Sequence, residues 1–109
     1  MQSISIWVGP QKKPTEGMSR TEFFAKQVLE YLPLKLVGEL QIVGRERPEL
    51  ASIAIYRGQV KFMAVHYLGA LDESGRKVLI AVENLTGDRQ INNAVEQFAA
   101  DNRFVQISI

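Results

Sequence analysis

The sequence contains no cysteine and only one histidine, His66, among its 109 residues. The absence of cysteine excludes disulfides, thiolate zinc sites, iron–sulfur clusters and thiol nucleophiles. No H-x-x-E, E-x-x-H or D-x-D spacing surrounds His66, and glycine-rich phosphate loops are also absent. We therefore predict no metal, no cofactor and no catalytic residue, and we interpret His66 as a core or sheet-rim side chain.

The sequence also lacks a strong net charge and a long apolar run. Thirteen Lys and Arg residues oppose twelve Asp and Glu residues, which gives a formal net charge of +1. Such a balance does not by itself drive binding to nucleic acid or to an acidic membrane. No segment approaches the roughly 20 apolar residues that span a bilayer, and the first residues of the sequence lack the basic segment and apolar run of a secretion signal. We expect a cytoplasmic protein without membrane contact.

The hydrophobic pattern predicts a single α+β domain over residues 1–109. Apolar runs bounded by glycine, proline or charged turns predict strands at 3–8, 36–43, 52–56, 60–68, 77–83 and 104–109. Helices are predicted at 19–32 and 88–102 from their N-cap residues, Ser19 and Asp88, and from apolar residues at helical spacing. The order β-α-β-β-β-β-α-β favours a mainly antiparallel sheet of five or six strands with both helices on one face.

One face of the first strand is predicted to be buried and the other to remain uncovered. We expect Ile4, Ile6 and Val8 to face the core. Trp7 then lies on the opposite face, with the odd-numbered residues of the last strand. Two helices of about 13 residues do not cover both faces of such a sheet. Either an apolar surface therefore remains exposed as a partner site, or the helices are divided between the two faces.

The leading hypothesis is a non-enzymatic protein-interaction module that uses this surface. We predict that Trp7, Met63, Val65 and Tyr67 bind a protein partner or a second copy of the chain. The apolar last strand offers an edge for pairing. The predicted roles are those of an adaptor, an inhibitor or an accessory subunit with regulatory function, and we expect self-association into a dimer.

A second hypothesis is nucleic-acid binding by a local basic group. Arg45, Arg47, Arg57 and Lys61 fall in predicted loops and in a hairpin, and the Lys12-Lys13 pair lies in another loop. These residues are the candidates for contacts to phosphate. The intervening acidic residues at positions 46 and 49 favour a solvated surface of mixed sign instead.

A third hypothesis comes from Asp72 and Glu83. The segment around them contains an acidic residue, then a strand that ends Ala-Val-Glu-Asn-Leu at 81–85, and then a helix. This segment resembles the core of restriction-endonuclease-like nucleases. The resemblance covers about 40 residues, and it implies a metal-dependent hydrolase that uses Asp72, Glu83 and His66. The lysine of that family's Glu-x-Lys pattern is missing here, which implies a degenerate site.

Overall fold

Six antiparallel strands form one sheet in the computed structural model, which describes residues 2–47 and 51–108. The elements in chain order are β1 (Ser3–Pro10), α1 (Arg20–Leu29), α2 (Leu34–Val37), β2 (Leu40–Arg47), β3 (Ser52–Arg57), β4 (Val60–Ala70), β5 (Lys77–Asn84), α3 (Arg89–Asn102) and β6 (Val105–Ile107). The strand order across the sheet is β2-β3-β4-β5-β1-β6. The predicted α+β class and the antiparallel sheet are confirmed.

Both long helices begin at the N-caps that the sequence predicts. The backbone N–H of Glu22 donates to Ser19 Oγ at 3.1 Å, and the backbone N–H of Gln90 donates to Asp88 Oδ1 at 2.9 Å. Each bond satisfies one of the amides that a helix leaves unpaired in its first turn. Arg103 ends α3 with a left-handed φ of 62°.

The predicted strand at 36–43 is wrong in its first half. Leu34–Val37 forms a helical turn, and the strand begins only at Leu40. The fixed φ of Pro33 is compatible with the start of a helix, and Leu36 and Leu40 are four residues apart and both buried. The predicted loop at 45–49 is wrong for its first three residues, because β2 continues through Arg47. The positions 48–50 lie outside the described residues, as does the predicted end of the last strand at Ile109.

The core lies between the sheet and the two long helices, which pack side by side on one face. The ring centroids of Phe24 and Phe98 are 6.5 Å apart, which joins α1 to α3. Phe104, between α3 and β6, packs on both rings at 5.7 and 5.2 Å. None of the helices in the described ranges is long and apolar enough to cross a membrane.

The prediction of which face of β1 is buried is wrong. Trp7 is buried with its sheet neighbour Ile80 in the core beneath the helices. Ile4, Ile6 and Val8 alternate with it and so lie on the other face. Both faces of this strand carry apolar residues, so a period of two does not determine which face is buried. The indole is the residue that packs inside, in the core cluster beneath the helices.

Candidate functional site

An apolar strip runs across β5, β1 and β6 on the sheet face opposite the helices. Its members are Ile4, Ile6, Val8, Leu79, Val105 and Ile107. The register places Val8 between Leu79 and Val105, and it places Ile6 beside Ile107. Ile4, Val105 and Ile107 are exposed by 59%, 65% and 39% of their surfaces. The apolar strip is therefore a contiguous surface that the fold leaves in contact with water.

Opposite charges lie at the two ends of the apolar strip. Lys77, Leu79, Ala81 and Glu83 alternate along β5 and share the open face. In the register, Lys77 lies beside Pro10 at one end of β1, and Glu83 lies beside Ile4 near the other end. Six residues of strand separate the two charged positions, which is about 20 Å. The surface thus has an apolar centre, a basic end and an acidic end.

The two edges of the sheet differ in charge. β6, at one edge, has the sequence Val-Gln-Ile without a charged residue. β2, at the other edge, contains Arg45, Glu46 and Arg47. Charged residues protect a sheet edge against pairing with another chain, and β6 lacks this protection. The apolar strip reaches the sheet boundary at this uncharged edge, where β6 is three residues long.

Three of the four predicted partner-binding residues are buried. Trp7, Met63 and Val65 pack in the core beneath the helices, with Trp7 exposed by 7% and the other two fully enclosed. Tyr67 is half-buried against α1, where Arg20 donates a hydrogen bond to its hydroxyl at 3.1 Å. The prediction that these residues form the uncovered face is therefore wrong. The odd-numbered residues of the last strand, Val105 and Ile107, do lie on it.

The predicted basic group is divided between two ends of β3. Arg45 and Arg47 pair in register with Ile53 and Ser52 at the start of that strand, whereas Arg57 is its last residue. A span of five residues is about 17 Å. The side chains of Arg45 and Arg47 lie outside the described part of the structure.

Several of the basic side chains make contacts within the chain. The Arg57 guanidinium lies 4.7 Å from the ring centroid of Phe62, and its Nε lies 3.5 Å from Glu39 Oε2 in an ion pair without hydrogen-bond geometry. Lys61 also has an interaction partner. Lys12 Nζ donates a hydrogen bond to Asn102 Oδ1 at the end of α3. These contacts give the lysine and arginine side chains structural roles.

His66 lies between Ser52 and Glu83 on three neighbouring strands. Its Nδ1 is 2.5 Å from Ser52 Oγ, and its Nε2 is 2.5 Å from Glu83 Oε1. Ser52 faces His66 directly across β3 and β4, and Glu83 lies on the diagonal in β5. These contacts connect β3, β4 and β5 through side chains.

A serine, a histidine and a carboxylate form the nucleophilic centre of many hydrolases. Here Ser52 is only 2% exposed, so a substrate carbonyl does not reach its hydroxyl in this fold. We assign the Ser52–His66–Glu83 cluster a structural role.

The acidic residues of the nuclease-like hypothesis are not brought together. Asp72 lies in the turn between β4 and β5, and Glu83 lies near the far end of β5. Desolvation raises the pKa of the Asp72 carboxyl, but hydrogen bonds from Ser74 and the Arg76 backbone outweigh it and lower the pKa below its usual value. In the described ranges, no group of three or more His, Cys, Asp or Glu side chains is placed to hold a metal ion. The residues therefore do not fit the metal site that the resemblance implies.

No family model, no curated protein and no solved structure matches this chain.

Proposed function

We propose that this chain is a non-enzymatic protein-interaction module that self-associates through the apolar strip. The observation that supports this function is the exposure of Ile4, Val105 and Ile107 on a sheet face that no helix of the described residues covers. Contiguous exposed apolar surface marks contact sites in soluble proteins. The more specific roles of adaptor, inhibitor or accessory subunit, and the cytoplasmic location, stay predictions.

The size of the surface sets the expected strength of the contact. Complete burial of one isoleucine or valine side chain contributes about 1.5–3 kcal/mol, and the residues of the apolar strip are already buried in part. Association must also offset the lost translational and rotational freedom of two molecules. We therefore expect a reversible complex with a dissociation constant of about 1–100 μM.

A lysine scan of the exposed apolar residues tests this proposal. Ile107→Lys and Val105→Lys place a charge in the proposed contact, where it would lose its hydration without a partner, because the cross-strand neighbours Ile6 and Val8 are apolar. Leu34→Lys is the matched control, because Leu34 is 90% exposed and lies in α2, which packs beside β2 at the other edge of the sheet. All three changes add the same charge.

Sedimentation velocity over a concentration series measures how strongly each variant self-associates. We expect the two strip variants to associate at least about tenfold more weakly than the unmodified chain, and the Leu34→Lys variant to associate as strongly. Equal association by all three variants would contradict the assignment of the surface. A monomeric unmodified chain at the highest concentration would contradict self-association itself.

The other two hypotheses have less support from the described residues. Arg57 is engaged with Phe62 and Glu39, and Asp72 and Glu83 lie at opposite ends of β5. We therefore propose neither nucleic-acid binding nor hydrolysis.

A further inference from the structure

We infer that two copies of the chain pack face to face with their β5 strands antiparallel, so that Lys77 of each copy meets Glu83 of the partner subunit. The inference rests on the proposed function and adds to it the arrangement of the two copies. It follows from the order of charged and apolar residues on the open face of β5.

The arrangement corresponds to a two-fold axis that lies between the sheets and runs across the strands. An axis at the level of Ile80, midway between Lys77 and Glu83, exchanges the two ends of β5. The same axis places Leu79 against Ala81 of the partner subunit, which is a large residue against a small one. Packed sheets are rotated by about 30° from strict alignment, which the flexible lysine side chain accommodates.

The remainder of the apolar strip is compatible with this axis. Ile6 lies beside Ala81 and Val8 beside Leu79, so Ile6 and Val8 also lie on either side of the level of Ile80. The same holds for Ile107 and Val105, which pair with Ile6 and Val8. The apolar residues of one copy therefore cover those of the other.

The charge pattern disfavours a second face-to-face arrangement, in which the two β5 strands are parallel. A two-fold axis parallel to the strands and passing over β5 would place Lys77 against Lys77 of the partner subunit and Glu83 against Glu83 of the partner subunit. Like charges that face each other across a contact are unfavourable, and opposite charges select one orientation. The antiparallel arrangement replaces two repulsive contacts with two attractive contacts.

Glu83 is held in position for this contact. Its Oε1 lies 2.5 Å from His66 Nε2, and the side chain is half-buried on the open face. The ordering of the carboxylate by His66 reduces the conformational entropy that Glu83 loses when it binds a cation. Lys77, at the other end, is exposed.

Charge reversal at one end of the apolar strip tests the arrangement. We expect Lys77→Glu to weaken association at least about tenfold at low ionic strength, since each complex contains the altered contact twice. Lys35→Glu is the matched control, because it makes the same charge change at an exposed position of α2. We expect it to leave association unchanged. The difference between the two variants should shrink in about 1 M salt, where the screening length is only a few ångströms.

A mixing experiment gives a second, independent measurement. Glu83→Lys leaves two positive charges at the ends of the strip, whereas Lys77→Glu leaves two negative charges. Each variant should therefore associate weakly alone, and an equimolar mixture should form a heterodimer that is detectable by sedimentation. If Glu83→Lys does not fold, because it loses the bond to His66, the comparison of Lys77→Glu with Lys35→Glu decides.

The outcomes separate this inference from the proposed function. If the unmodified chain associates and Val105→Lys disrupts it, but Lys77→Glu and Lys35→Glu behave alike, only the antiparallel arrangement is overturned. Two folded, oppositely charged variants that do not combine would overturn it as well. If the unmodified chain does not associate, the proposed function fails first.

Discussion

Trp7 and Ile6 are neighbours in β1, but Trp7 packs beneath the helices and Ile6 lies on the apolar strip. The alternation of side chains in a strand makes these two positions mutually exclusive. Burial of the indole therefore places the aliphatic residues of β1 on the open face. Met63 and Val65 of β4 lie on the same face of the sheet as Trp7 and are also in the core.

The two positions should differ in their effect on folding. We expect Trp7→Ala to lower the free energy of unfolding by about 3–5 kcal/mol, because it leaves a cavity in the core. Ile6→Ala should cost about 1 kcal/mol, since the side chain is half-buried in the single chain. Urea unfolding at a protein concentration below the association range measures both values. Equal costs would contradict the assigned faces of β1.

The elements that the sequence predicts well are those with local signals. The caps at Ser19 and Asp88 depend on neighbouring residues, and they are found where expected. Which side chains of β1 are buried depends instead on which of its two faces packs against the helices. That choice is made by long-range packing, which a single sequence does not determine.

A close contact near the end of β1 gives a second prediction. Gly9 is buried, and a Cβ at this position would overlap the ring of Phe104. Gly9→Ala should therefore destabilise the fold by about 1–3 kcal/mol, the usual range for overpacking a core. Phe104→Leu makes space at the same place, so the alanine should cost less in that background. Urea unfolding of the unmodified chain, the two single variants and the double variant gives the coupling free energy between positions 9 and 104.

If the stability costs of Gly9→Ala and Phe104→Leu add in the double variant, the close contact between the two residues is contradicted. Gly17 is a suitable control position for the method, because no atom lies near a Cβ built there. Its φ of 82° is left-handed, however, so Gly17→Ala measures backbone strain without overpacking. Phe104→Leu should not reduce that cost.

The cluster around His66 gives a third prediction. His66→Ala removes the contacts to Ser52 and Glu83 from the centre of the sheet and should cost about 1–3 kcal/mol of stability. Glu83→Gln keeps an oxygen that accepts from the imidazole, and it should cost about 1 kcal/mol or less. Thermal or urea unfolding checks the order of the two costs. A His66→Ala variant that is as stable as the unmodified chain would contradict the structural role of the cluster.

The composition of this cluster was not predictable from the sequence. His66 is 14 residues from Ser52 and 17 residues from Glu83. The contact between His66 and Glu83 depends on the β4–β5 register, which includes a bulge between Tyr67 and Gly69. The sequence identifies His66 as a core or sheet-rim residue, and the half-buried position agrees with that interpretation. Its two partners follow only from the sheet register.

Sedimentation equilibrium of the unmodified chain over a dilution series tests the central claim most directly. We predict that the weight-average mass rises with concentration from the monomer value of 12.3 kDa towards twice that value, with a midpoint at about 1–100 μM. A mass that stays at 12.3 kDa across and above this range would contradict self-association through the apolar strip.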